Sequence, residues 1–64
     1  MTVILGIDPG SRKTGFGLIS VNRNKPRYVS SGTIHLPSKE PLSVRLKVLF
    51  ESLTELIDTY QPEV

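Results

Sequence analysis

Val3-Ile4-Leu5-Gly6-Ile7-Asp8-Pro9-Gly10-Ser11-Arg12-Lys13-Thr14-Gly15-Phe16-Gly17-Leu18-Ile19-Ser20-Val21 decides how the chain folds. Its first five residues are a nearly continuous apolar run rich in β-branched side chains, which predicts a strand covered on both faces in the middle of a sheet. Asp8-Pro9-Gly10-Ser11 then predicts a reversal, with Pro9 fixing φ and Gly10 free to take φ > 0. From Thr14 to Val21 a second strand is expected. Phe16, Leu18 and Ser20 fall on one face, while Gly15 and Gly17 leave the other bare beside the turn. Bare strand positions admit a neighbouring backbone or a ligand.

Downstream, Asn22-Arg23-Asn24-Lys25-Pro26 is polar and turn-forming, and the looser alternation from Tyr28 to Leu36 predicts a third strand on a hairpin. Pro37, Ser38 and Pro41 punctuate a loop. From Leu42 the period becomes helical: Leu42, Leu46, Leu49, Leu53, Leu56 with Ile57, and Tyr60 recur at steps of three and four, an amphipathic helix of about five turns. Ser43 or Ser38 is its expected N-cap, Phe16 and Phe50 are expected core residues, and Pro62 ends the helix. The order strand, strand, strand, helix then stops where a fourth strand is due, so residues 1–64 read as part of one domain. A helix with so broad an apolar stripe lacks sheet to cover, which predicts self-association of the 64 residues alone, by pairing of first strands or exchange of helices.

Composition bounds the remaining possibilities. With 64 residues and no cysteine, a disulfide framework is excluded, and a lone His35 without thiolates argues against a structural zinc site. The apolar start is far too short for a signal peptide or a membrane span, so a soluble, cytoplasmic protein is expected. The formal charge is +2, unevenly spread: Arg12, Lys13, Arg23, Lys25 and Arg27 against Asp8 alone give +4 over residues 1–32, and the remainder carries −2. A basic half suits a polyanion.

The first turn carries the chemistry. A carboxylate at the end of an apolar strand is held on a rigid element and suits a hard divalent cation such as Mg²⁺. Gly10, Gly15 and Gly17 leave space for a phosphate backbone, and Ser11, Arg12 and Lys13 lie close enough in sequence to contact it. Asp8-Pro9-Gly10-Ser11 is also an ordinary turn sequence, in which Asp8 would accept hydrogen bonds from its own loop.

Ile4-Leu5-Gly6-Ile7-Asp8-Pro9-Gly10-Ser11-Arg12 followed by Thr14-Gly15-Phe16-Gly17-Leu18-Ile19 resembles the N-terminal signature of the RuvC-type Holliday-junction resolvases of bacteria, the crossover junction endodeoxyribonucleases. Ser31-Gly32 before Ile34 resembles their third strand, and Leu42, Arg45-Leu46-Lys47, Thr54-Glu55, Ile57 and Gln61-Pro62 resemble their first helix and exit turn. The resemblance spans essentially all 64 residues but only the N-terminal part of such a resolvase.

It implies an α/β, ribonuclease H-like fold, present here as an α+β piece: a three-stranded antiparallel meander and one helix, before the fourth strand. It further implies a homodimeric, Mg²⁺-dependent endonuclease, with Mn²⁺ as a substitute, that nicks two strands of a four-way DNA junction in recombination and repair alongside branch-migration proteins. Asp8 matches the family's catalytic, metal-binding aspartate at the end of the first strand. The second acid, a glutamate inside the next strand, falls past Val64, and Glu63 beside Pro62 is not its equivalent. The implied mechanism is two-metal hydrolysis of a phosphodiester; one aspartate cannot support it, so the 64 residues are expected to be inactive by themselves.

Two other classes share the opening. An Asp-x-Gly turn between two strands also occurs in actin-like ATPases and sugar kinases, where the loop wraps nucleotide phosphates; Ser11 and Lys13 partly fit that pattern. A non-catalytic DNA-binding or dimerisation module would use the basic half for phosphates and Asp8 only to cap its turn.

Overall fold

A computed structural model describes all residues, Met1–Val64. Strands β1 (Thr2–Asp8), β2 (Lys13–Asn22) and β3 (Lys25–His35) form an antiparallel sheet in the order β1-β2-β3, followed by helix α1 (Leu42–Tyr60). These are the three strands and helix expected of the N-terminal part of a ribonuclease H-like fold.

The second hairpin is tighter than its composition suggests. Asn22 pairs with Lys25, leaving a two-residue turn in which Arg23 and Asn24 take φ of 53° and 64°. Two successive positive φ values give the turn the twist of the strands it joins. β3 therefore begins at Lys25, not Tyr28. Its register slips once: Leu18 faces Ser30 and Ile19 faces Tyr28, so Val29 is the extra residue of a bulge.

Registers sort the sheet into two faces. Leu5 lies beside Leu18 and Ser30, and Ile7 beside Phe16 and Gly32, on one face; Gly6, Gly17 and Ser31, then Asp8, Gly15 and Thr33, line up on the other. α1 lies on the first face, where Phe16 and Ile34 meet Ser52, Leu56 and Tyr60 across a cleft of about 330 Å³. Phe16 fills the space of a missing side chain, since a Cβ on Gly32 would stand 2.9 Å from its ring. The buried core is small: Thr14, Leu18, Ile34 and Leu36. Thr14 is fully enclosed and its hydroxyl has no hydrogen-bond partner. The Cα radius of gyration is 13.2 Å, against about 11 Å for a compact chain of this length. Residues 1–64 by themselves close an incomplete core.

Several sequence expectations are corrected. α1 sits rotated from the expected stripe: Arg45, Val48, Leu49, Ser52, Leu53, Leu56 and Tyr60 are its less exposed positions, whereas Leu42, Leu46 and Ile57 are exposed and Phe50, expected in the core, is 72% exposed. Neither serine caps the helix. Pro41 is the N-cap with no side-chain bond; its carbonyl receives the Val44 and Arg45 N–H groups, each at 3.1 Å. Fixed φ and an extended ψ start the helix there without a hydroxyl. β1 is half-buried only from Thr2 to Leu5, and Ile7 is 45% exposed. At the far end Gln61 turns left-handed, as helix C-termini often do, and Pro62 follows.

Chain pairing resumes earlier than expected. The Glu63 N–H donates to the Val3 carbonyl at 2.8 Å, and the Leu5 N–H donates to the Val64 carbonyl at 2.8 Å. The Val64 N–H also reaches the Val3 carbonyl, at 3.4 Å. The bonds of Val64 thus bracket Ile4 as between parallel strands. This takes up the outer edge of β1 at Val3 and Leu5, the edge through which first strands were expected to pair.

Candidate phosphate and cation site

β1 delivers Asp8 to the end of the sheet, and the registers set Gly15 and then Thr33 beside it on the same face. Because Gly15 has no side chain, Asp8 and Thr33 look across an open floor; a Cβ on Gly15 would stand 3.8 Å from the Asp8 Cβ. The turn between β1 and β2 walls this floor. Together Asp8, Pro9, Gly10, Ser11, Arg12, Lys13, Gly15 and Thr33 surround a cavity of about 500 Å³. A second trough of about 440 Å³ borders Asp8 and Gly15 and runs past Gly6, Gly17 and Gly32. All five expected site residues, Asp8, Gly10, Ser11, Arg12 and Lys13, are therefore brought together at one cavity.

The turn is compact for a reason other than the expected one. No glycine has positive φ. Gly10 is required by space, since a Cβ there would stand 2.5 Å from the Lys13 carbonyl oxygen. The carbonyls of the turn are held from outside: Ser11 by Arg45 Nη1 at 3.1 Å, and Arg12 by the Leu36 N–H at 2.8 Å. The N–H groups of Gly10, Ser11 and Arg12 donate to none of the hydrogen bonds outside the helix and strands. Unspent donors on a turn that also carries two cations suit an anion.

Asp8 is exposed, and its carboxylate accepts none of the side-chain hydrogen bonds. It does not cap its own turn, as the non-catalytic reading requires. An unengaged carboxylate on a rigid strand, facing a polar cavity, is a fitting oxygen ligand for Mg²⁺ or Mn²⁺, which take one or two protein carboxylates with water and phosphate oxygens. The chain has no group of three or more His, Cys, Asp or Glu placed to hold a metal, so Asp8 by itself does not complete a cation site. Glu63 is exposed and bonded by its backbone to β1, away from the cavity lining. No helix is long and apolar enough to cross a membrane.

Two contributors escaped the sequence. Thr33 is found by counting register through both hairpins, which needs the two-residue turn at Arg23-Asn24 and the Val29 bulge to be known. Arg45 lies outside the apolar positions that mark the helix; its spacing from Leu49 and Leu56 puts it on the inward flank once the rotation of α1 is fixed.

The family model for "Crossover junction endodeoxyribonuclease RuvC" matches residues 4–64. Curated relatives of that name include one from Hydrogenovibrio crunogenus, 59% identical over 61 residues, covering 95% of this chain and 35% of the relative. A second, from Saccharophagus degradans, is 50% identical over 62 residues, covering 97% and 36%. A third, from Chromobacterium violaceum, is 54% identical over 59 residues, covering 92% and 34%. The chain thus spans about a third of the length of the relatives it matches. The match runs through the strands, the cavity turn, the helix and its exit, which sets aside the actin-like and sugar-kinase alternative.

Proposed function

Because the chain belongs to the RuvC family of crossover junction endodeoxyribonucleases, we propose that the whole protein is a divalent-cation-dependent endonuclease that resolves four-way DNA junctions by paired nicks in recombination and repair. The observation that carries this is the unengaged Asp8 carboxylate at the mouth of a cavity whose turn offers free N–H groups and two cations. When bound, Mg²⁺ or Mn²⁺ supplies the Lewis acidity and the activated water that phosphodiester hydrolysis needs. Asp8 would hold one cation through its carboxylate oxygens. The Gly10, Ser11 and Arg12 N–H groups and the Arg12 and Lys13 side chains orient the phosphate backbone, and the glycine floor at Gly15 and Gly17 lets it approach. The cavity leaves the remaining cation ligands to acids outside these residues, so the 64 residues are inactive alone. Two nicks require two such sites, one in each subunit of a homodimer acting on the junction in the cytoplasm, with branch-migration proteins as partners.

The test is cleavage by the full-length protein of a four-way junction and of a linear duplex of the same sequence, each with Mg²⁺ and with EDTA. Symmetrical nicks in the junction with Mg²⁺ alone are expected. Binding that is equally strong in EDTA and never followed by cleavage would return the protein to the non-catalytic DNA-binding class.

A further inference from the structure

The Arg45 bond to Ser11 joins residues 34 positions apart, whereas each of the other three side-chain hydrogen bonds stays within four residues. It is the one such bond that ties α1 to another element, and it ends on the cavity turn. A planar trans peptide points its N–H opposite to its carbonyl, and the chain has no cis bond. Fixing the Ser11 carbonyl toward α1 therefore aims the Arg12 N–H away from α1, where it has no acceptor within the chain. The neighbouring tie from Leu36 to the Arg12 carbonyl holds the next peptide in the same way.

Arg45 is poorly explained by stability. Its Nε is enclosed without a hydrogen-bond partner, a cost that an aliphatic side chain at the same place would not carry. Its planar, five-donor head reaches a carbonyl from a half-buried stem, a geometry a lysine reproduces only in part.

We infer that Arg45 is a positioning residue: it holds the Ser11–Arg12 peptide so that the Arg12 N–H and the Arg12 and Lys13 side chains are presented to a phosphate oxygen of DNA in the Asp8 cavity. This rests on the nuclease function proposed above. Arg45→Met in the full-length protein keeps the stem and removes both the Ser11 bond and the unpaired nitrogen. Order parameters of the Ser11 and Arg12 amides fall from about 0.85, typical of rigid backbone, to below about 0.6. The Leu36 amide exchanges about tenfold faster, and Leu18 and Leu53 amides are unchanged, which shows that the variant is folded. For junction cleavage kcat falls about tenfold with KM within about twofold, the pattern of an interaction realised in the transition state. Arg45→Lys recovers at least about half of the lost kcat. Unchanged order parameters, a loosened turn with wild-type kcat, or a lysine variant no better than the methionine one overturns the inference. If Arg45→Met unfolds, the lysine variant alone decides, by the same amides and the same kcat. A wild-type protein that leaves junctions uncut defeats the nuclease proposal and the phosphate role of Arg45 together; an active wild type matched by Arg45→Met defeats the role of Arg45 alone.

Discussion

Gly10→Ala separates a turn that merely reverses the chain from one whose shape is part of the site. The added Cβ would stand 2.5 Å from the Lys13 carbonyl oxygen, whereas ordinary contact begins at 3.4 Å, so the two segments must part by about 0.9 Å. Both are backbone, and no rotamer change relieves the overlap. Lys13 is fixed in its ladder opposite His35, and the Ser11 and Arg12 carbonyls are held by Arg45 and Leu36. The displacement therefore falls first on Gly10 and pulls against the two ties that hold Ser11 and Arg12, all three of which line the cavity. Local strain of this kind costs about 1–3 kcal/mol of stability, which is a loss of about 2–4 °C in Tm per kcal/mol for a protein of 150–250 residues. A misplacement of about 1 Å costs on the order of 100-fold in rate. Single-turnover cleavage of a four-way junction with Mg²⁺, measured beside thermal unfolding, is expected to show about a 100-fold slower step in a variant that still melts cooperatively. Gly17→Ala is the stability control: nothing lies within 4 Å of its added Cβ, and relieving a strand glycine should add about 0.5–1 kcal/mol. Gly10→Ala cleaving within about threefold of wild type at an unchanged Tm would refute the reasoning.

Replacing Arg12 and Lys13 together by Ala should lower the slope of log K against log salt for junction binding by about one to two phosphate contacts; an unchanged slope would place both on an idle surface. Thr14→Val removes a fully enclosed hydroxyl that has no partner and should raise Tm by a few degrees, since such a group costs about 1–3 kcal/mol; a lower Tm would mean the hydroxyl is satisfied in solution. Leu42, Leu46, Phe50 and Ile57 are 61%, 53%, 72% and 48% exposed, so the 64 residues alone should self-associate through this flank of α1. Sedimentation equilibrium at micromolar concentration checks this, and a stable monomer of 7.1 kDa would contradict it.

The strand, turn and strand from Val3 to Val21 were legible because apolar runs, Pro9 and paired glycines leave few local choices. Asp8 was legible for the same reason, being the sole carboxylate of residues 1–32 and placed where a strand ends. The helix was legible in extent but not in rotation. With leucines at 42, 46, 49, 53 and 56 and Phe50 and Ile57 among them, apolar residues cover too much of the circumference for periodicity to choose a flank, and the sheet chooses it. Gly10 was expected for the wrong property, because sequence reveals that a turn needs glycine but not whether φ or space demands it. The N-cap was misplaced because serine hydroxyls attract the assignment while Pro41 starts the helix by its backbone alone. Pairing of Glu63 and Val64 with β1 is tertiary and leaves no local trace beside Pro62.

Asp8 as a cation ligand has its sharpest test in Asp8→Asn of the full-length protein, which keeps shape and removes charge. Junction affinity is measured in EDTA, and single-turnover cleavage is measured across a Mg²⁺ titration. A ligand to a catalytic cation contributes several kcal/mol to the transition state, and each 1.36 kcal/mol is tenfold in rate. The variant should therefore bind junctions within about threefold of wild type and cleave them at least about 1,000-fold more slowly at saturating Mg²⁺. Cleavage by Asp8→Asn within about tenfold of wild type would contradict the assignment of the Asp8 cavity as the nuclease site.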